Sequence, residues 1–258
     1  MIFDSHAHYD DSRFDEDRDE IIMKAHREGV RLILNVGAGL DTSQKAIELA
    51  EKYDFIYASA GIHPHDVESL QEKDMATLYK MAAYEKVMAI GEIGLDYFYD
   101  NSPRELQKKW FIQQLDVARQ TKLPIIIHSR DATSDMLEIM KKENVKNIGG
   151  VVHCFSGGRE TMEEIVKMGF YISFGGTVTF KNAAKVIGSV KNIPEERLLI
   201  ETDCPYLSPE PQRGKRNYSS FLKFVIAKIA DVRGTTTEYI EELTCKNAID
   251  LFKIPSLL

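Results

Sequence analysis

Pro124-Ile125-Ile126-Ile127-His128 is apolar at consecutive positions where a strand wetted on one face would alternate. Such a run needs cover on both faces, the condition of parallel strands packed under crossover helices. Working outward, the same texture returns in Arg31–Val36 (RLILNV) and Leu198–Glu201 (LLIE). Shorter or weaker versions occupy Met1–Ser5, Phe55–Gly61, Val87–Glu92, Gly150–His153 and Tyr171–Phe174. The eight starts are separated by 30, 24, 32, 37, 26, 21 and 27 residues, each about the length of one strand plus one crossover helix.

The intervening stretches carry helical signals. Asp15–Glu28 puts Ile21, Ile22 and Ala25 on one stripe and stops at Gly29. Pro103–Thr121 follows Ser102 as a cap and repeats Phe111, Leu115 and Ala118. Thr161–Met168 ends at Gly169, and Tyr218–Val232 ends at Arg233-Gly234. At about 150 residues per domain, 258 residues would make two domains, but α/β barrels fill about 200–250 as one. Eight strand–helix units without a linker predict an α/β fold, a single (β/α)8 barrel over residues 1–258, over a doubly wound sheet with a second domain.

Net charge of −7 excludes a polycationic surface for coating nucleic acid, leaving room for one local cationic patch or a metal to meet a phosphate. Cys154, Cys204 and Cys245 are odd in number and contain no CxxC pair, the pattern of reduced thiols. The opening MIFDSHAH has no basic and then apolar leader, and no long apolar run follows. The expectation is a cytoplasmic protein with no membrane contact and no obligate protein partner.

Six of the seven histidines, His6, His8, His63, His65, His128 and His153, fall at or just beyond the C-terminal ends of four of the eight runs. Glu92 and Asp96 occupy that position after the fourth run, and Glu201 and Asp203 after the eighth. In a barrel these ends meet at one mouth, where catalytic groups gather. His6 and His8, two apart on a strand, turn the same way and can face one ion. Together with His128, His153, Glu92 and Asp203 they give six nitrogen and oxygen ligands, more than one tetrahedral ion takes. This predicts two divalent ions (Mg2+, Mn2+ or Zn2+) bridged by Glu92. Four neutral imidazoles and two carboxylates leave two such ions with excess positive charge, which suits an anionic phosphoester; a single ion would suit a neutral ester or amide equally.

The motifs DSHAHYD, GIHPH, IGEIGLDYF, IIIHSRDA, HCFSG, ETDCPYL and RGKRN, in this order from residue 4 to residue 217, resemble the TatD family of metal-dependent deoxyribonucleases. The resemblance implies a TIM barrel, a divalent-metal centre on His6, His8, Glu92, His128, His153 and Asp203, and 3′ to 5′ exonuclease action on DNA. One departure stands out: family members often continue RGKRN with Glu-Pro, whereas Tyr218 and Ser219 follow Asn217 here.

The remaining candidates take roles around that centre. Asp203 accepts the proton of the activated water, and Glu201, pointing the same way one layer deeper, orients a ligand histidine or is a structural buried carboxylate. His63 and His65 contact phosphate or leaving group, or are loop histidines bonded to backbone carbonyls. Asp96 orients one of the histidines or shapes a turn. Arg130 clamps a phosphate or makes an ordinary salt bridge. Ser156, before Gly157-Gly158, offers backbone N–H groups to a phosphate or sits in a plain turn. Arg213, Lys215 and Arg216 form the one dense basic cluster, in the loop after the eighth run where barrels often bind phosphate. Tyr97, Phe98 and Tyr99 pack as loop anchors or stack on bases. Cys154 and Cys204, out of phase with the ligands, pack as small apolar residues.

The expected function is a metal-dependent phosphodiester hydrolase acting on DNA ends, a 3′–5′ exodeoxyribonuclease preferring single strands. Its rivals are a metal-dependent ester or amide hydrolase, such as an aminoacyl-tRNA deacylase, and a non-catalytic partner-binding barrel.

Overall fold

In the computed structural model, which describes residues 1–255, eight parallel strands follow one another in chain order around a nearly closed barrel. They are β1 (Ile2–Ala7), β2 (Val30–Val36), β3 (Ile56–Ala60), β4 (Val87–Asp96), β5 (Ile125–Arg130), β6 (Gly150–Val152), β7 (Tyr171–Phe174) and β8 (Leu198–Ile200). The helices are α1 (Arg18–Arg27), α2 (Leu40–Lys52), α3 (Glu72–Met81), α4 (Arg104–Thr121), α5 (Thr133–Lys142), α6 (Arg159–Lys167), α7 (Ala184–Asn192), α8 (Leu222–Arg233) and α9 (Thr237–Phe252). The seam closes just past β8, where the Asp203 N–H donates to the His6 carbonyl and the His8 N–H to the Cys204 carbonyl. The closure thus uses the backbone of the residues expected to hold metal.

The unbroken apolar runs serve two layers at once. Ile33, Ile125, Ile127, Val152, Leu198 and Ile200 pack outward with helix residues such as Ile22, Leu115 and Ile226. Their neighbours Leu32, Leu34, Ile126, Val151 and Leu199 form the barrel interior with Phe3, and Cys245, Ala248, Leu251 and Phe252 of α9 close its floor. Above this apolar fill lies a layer of small polar groups: Ser5 Oγ donates to the Ile200 carbonyl at 2.8 Å, and Ser59 Oγ to the Gly91 carbonyl at 2.7 Å. A Cβ on Gly61 would stand 2.5 Å from the Gly91 carbonyl carbon, and one on Gly91 2.5 Å from Ile126 Cβ. Glycine at both positions lets β3, β4 and β5 approach closely under the mouth.

Several boundaries differ from expectation. β4 runs past Glu92 to Asp96 because Ile93, Gly94, Leu95 and Asp96 keep pairing with Ile127, His128, Ser129 and Arg130. The first helix starts at Arg18, after a 3-10 turn at Ser12–Phe14 that buries Phe14, and α6 starts at Arg159. Past the departure at Tyr218, a 3-10 turn at Ser219–Phe221 leads into α8 at Leu222. Ser219 there is buried and bonded to Asp4 Oδ2 (2.7 Å) and the Tyr9 hydroxyl (2.7 Å). Among the described residues no helix is long and apolar enough to cross a membrane.

Candidate metal centre

The ends of β1, β3, β4, β5 and β6 and the segment after β8 deliver side chains to a single point at the mouth. Glu92 is its middle. Oε2 lies 3.4 Å from His6 Nε2 and 3.7 Å from His8 Nε2. Oε1 lies 2.7 Å from His153 Nε2, 2.9 Å from His128 Nδ1 and 3.6 Å from His63 Nε2. Each carboxylate oxygen therefore faces its own set of imidazoles. Asp203 Oδ1 completes the first set, 3.4 Å from His8 and 3.7 Å from His6. Three groups of donor atoms lie within 4.8 Å of one another: His6, His8 and Asp203; His6, His153 and Glu201; His63, Glu92 and His128.

These donors fit a divalent cation. The His6 and His8 Nε2 atoms are 3.0 Å apart, and the His6 and His153 rings stack at 4.0 Å, a crowding of ring nitrogens that an ion between them resolves. His6 Nδ1, His153 Nδ1 and Glu201 Oε2 are buried without a hydrogen-bond partner. His8 Nδ1 donates to the Val36 carbonyl at 2.8 Å, which leaves Nε2 with its lone pair toward the centre. Among the described residues no lysine or arginine pairs with Glu92, Glu201 or Asp203.

The charge balance shows what the mouth attracts. Burial would raise Glu92, yet His153 and His63 hold it well below the usual carboxylate range. Burial works against charge on His8 and His153 as well; Asp203 and Glu92 nevertheless push His8 up to about 9, and Glu92 and Glu201 push His153 well up. His63 and His6 go the other way, lowered by desolvation first and by neighbouring histidines after it. The carboxylates thus draw positive charge to the cluster, and a divalent ion would compete with protons for the same nitrogens.

A supporting ring holds the donors. Glu201 Oε1 accepts the Cys154 N–H at 2.6 Å and lies 3.4 Å from His153 Nδ1. Asp96 Oδ2 lies 2.9 Å from His128 Nε2 and 3.1 Å from His65 Nε2, and its Oδ1 accepts the N–H groups of Phe98 and Tyr99. Asp96 is thus both a turn former and a histidine partner. Below the site, Asp4 accepts from Thr202 N, Thr202 Oγ1, Ser219 Oγ and His6 N; burial raises its carboxyl to about 6, against those hydrogen bonds. Asp4 and the Val36 carbonyl escaped the sequence reading; Asp4, two residues before His6 and of the same strand phase, carried a usable signal, and the carbonyl carried none.

The expected substrate-side residues divide. His65 is half-buried at the rim, whereas His63 is buried and turned to Glu92, which places it among the donors instead of on the substrate side. Ser156 is exposed in the loop before α6. Arg130 is exposed and lacks the salt bridge that was one reading of it; its guanidinium lies over Phe98. Arg213 lies over Phe180, and the ammonium of the exposed Lys215 donates to Gln212 Oε1. Arg216 corrects the basic-loop expectation: its guanidinium grips Asp17 through both nitrogens, bonds the Arg13 carbonyl and covers Phe14. It ties the loop to the start of α1 and is not free for a phosphate. Tyr97 is a loop anchor, bonded to Asp135 at 2.7 Å. Cys204 is buried, and Cys154 is half-buried with a thiol that burial pushes well up, in keeping with inert packing.

An eight-stranded barrel with a mouth of buried imidazoles and carboxylates is the frame of a metal-dependent hydrolase, and comparison with known proteins gives the same class. A model of TatD-related DNases matches residues 3–253. The metal-dependent hydrolase YabD of Bacillus subtilis is 49% identical over 254 residues, covering 98% of this chain and all of that one. The 3′-5′ ssDNA/RNA exonuclease TatD of Klebsiella pneumoniae is 34% identical over 258 residues, covering 98% of each. The crystal structure of YJJV, a TatD homologue of Escherichia coli K12, superposes with a TM-score of 0.93 at 30% identity over 98% of each chain. The chain belongs to the TatD-related DNase family and is a metal-dependent hydrolase.

Proposed function

We propose that the protein removes nucleotides from the 3′ ends of single-stranded DNA by hydrolysing phosphodiester bonds at a centre of two divalent ions. The observation that carries this reading is Glu92, whose two oxygens face separate histidine sets at 2.7–3.7 Å, the disposition of a carboxylate shared by two ions. His6, His8 and Asp203 would hold one ion, and His128 and His153 the other, with Glu92 between. Held there, divalent ions would supply Lewis acidity, lowering the pKa of a water toward neutrality and offsetting charge on the phosphoryl oxygens.

The chain's own groups do the rest. Asp203 Oδ1 is turned to the imidazoles, leaving Oδ2 to take up the proton of the attacking water; the side chain is partly open to the mouth, as that role requires. Glu201 fixes the His153 ring from beneath, and Asp96 fixes His128 and His65. His65 stands where it can meet the leaving 3′-oxygen, while Arg130, Arg213, Lys215 and the backbone at Ser156 supply donors for the phosphates on either side. The acidic remainder of the surface repels nucleic acid elsewhere, which favours engagement at an end over coating.

The test compares wild-type protein and Asp203→Asn, each loaded with Mn2+, on 3′-labelled and 5′-labelled single-stranded oligonucleotides and on an aminoacyl ester. The expected result is early release of the 3′ label by wild-type protein and a loss on the order of 10^3-fold in the variant, with the barrel still folded. Ester hydrolysis without oligonucleotide hydrolysis would move the protein to the acyl-hydrolase reading.

A further inference from the structure

Two large aromatic side chains stand exposed at the mouth. Phe98 and Tyr99, in the turn after β4, are 54% and 55% exposed and meet edge to face at 5.0 Å. The Arg130 guanidinium, at the end of β5, lies 3.8 Å from the Phe98 ring centre and 4.8 Å from that of Tyr99. No carboxylate pairs with Arg130 among the described residues, in a chain with 40 acidic side chains. The Tyr99 ring is 5.3 Å from that of His65.

This ledge is held in fixed relation to the centre. The N–H groups of Phe98 and Tyr99 donate to Asp96 Oδ1 at 3.0 and 2.9 Å, and the other oxygen of the same carboxylate holds His128. Tyr97 anchors the far side, through Asp135 and under the Arg104 guanidinium. The opposite rim supplies the contrast. Tyr206 is also exposed, 6.3 Å from His8 with Arg13 at 4.0 Å, but Arg13 grips Asp11 through two nitrogens and the Tyr206 hydroxyl donates to the same Asp11. That pair is satisfied within itself; the Phe98, Tyr99 and Arg130 group has faces and charge unused.

We propose that Phe98 and Tyr99 form a stacking platform for an unpaired nucleobase of the substrate strand next to the scissile bond, with Arg130 taking the adjoining phosphate. The inference rests on the nuclease reading above and adds to it the origin of strand selectivity: a base already stacked in a duplex has no free face to offer the ledge. Stacking on aromatic side chains is tolerant of base identity, so the platform selects for an unpaired end and not for a sequence.

The experiment measures kcat/KM for release of the 3′-terminal residue, by the metal-loaded full chain, from an oligodeoxynucleotide and from the same strand carrying abasic residues at its last two positions. Wild-type protein is expected to prefer the base-bearing strand by about tenfold or more, chiefly through KM. The double variant Phe98→Ala, Tyr99→Ala is expected to bring that ratio near one. A wild-type ratio near one, with the strand cleaved, overturns the platform and leaves the nuclease reading standing. A preference kept by the double variant, including one kept through a parallel loss on both strands, also overturns it. Wild-type protein inert on both strands overturns the nuclease reading and the platform with it.

Discussion

The two ends of the barrel interior are built from opposite materials. At the floor, Phe3, Leu32, Tyr57 and Leu199 meet Ala248, Leu251 and Phe252 of α9 in a wholly apolar plug. At the mouth, a few residues further along the strands, His6, Glu92, His153 and Glu201 are just as buried, and among the described residues no lysine or arginine neutralises the carboxylates. An apolar contact stabilises whatever the pH or ions present, whereas buried charges cost desolvation unless a cation joins them. Stability is therefore concentrated at one end and chemistry at the other, and the mouth is complete as a physical object only with metal.

Substitutions at the two ends should separate these properties. Glu92→Gln is expected to lower oligonucleotide hydrolysis on the order of 10^3-fold and, because the charge that His153 and His63 stabilise is lost, to lower metal-free stability as well. Phe252→Ala is expected to cost about 3–5 kcal/mol in denaturant unfolding and to leave kcat within twofold at low temperature. Equal losses of stability and activity in both variants would break the comparison. Glu201→Gln, one layer below the donors, is expected to weaken metal binding about 10–100-fold in calorimetric titration without unfolding the barrel.

Asp4 lies between the two ends, and its effect is smaller and depends on pH. Its folded value, raised by burial to about 6, stands above the ordinary 3.8. Protonation thus favours the native state: the contribution is fully present below about pH 3.8 and is lost as pH rises through about 6. The difference in unfolding free energy between wild-type protein and Asp4→Asn should change across that window by at most about 1.4 kcal/mol per pH unit and be flat above it. A flat difference throughout would remove Asp4 from the account. The smallest expected effect is at the rim: Lys215→Gln should reduce the salt slope of oligonucleotide binding by about 1, and Arg216→Gln, whose guanidinium is held by Asp17, should leave it unchanged.

The barrel was legible because a strand buried on both faces writes itself as an unbroken apolar run, and seven similar spacings then define the topology. What eluded that reading has local causes. β4 continues through Gly94, where a Cβ would lie 2.0 Å from the His128 carbonyl oxygen, so a residue that looks like a stop is the one that allows pairing. The floor helix α9 lies outside the eight units, although Ile240, Thr244, Ala248 and Leu251 at helical spacing were there to be read. That the six candidate donors would meet at one mouth was legible because strand ends converge; the fates of Lys215 and Arg216 were not, since the partner that separates them, Asp17, lies 199 residues from Arg216. The same distance effect hid Ser219, which caps the Asp4 network from across the fold.

The measurement closest to the central claim is metal content and activity on one sample. Protein stripped by a chelator is titrated with Mn2+ while release from a 3′-labelled single-stranded oligonucleotide is followed. No cleavage by stripped protein, and recovery that saturates as bound metal reaches two ions per chain, is the result the two-ion proposal predicts. Cleavage at full rate by the stripped protein, or metal bound at the mouth with no release of nucleotide, would contradict it.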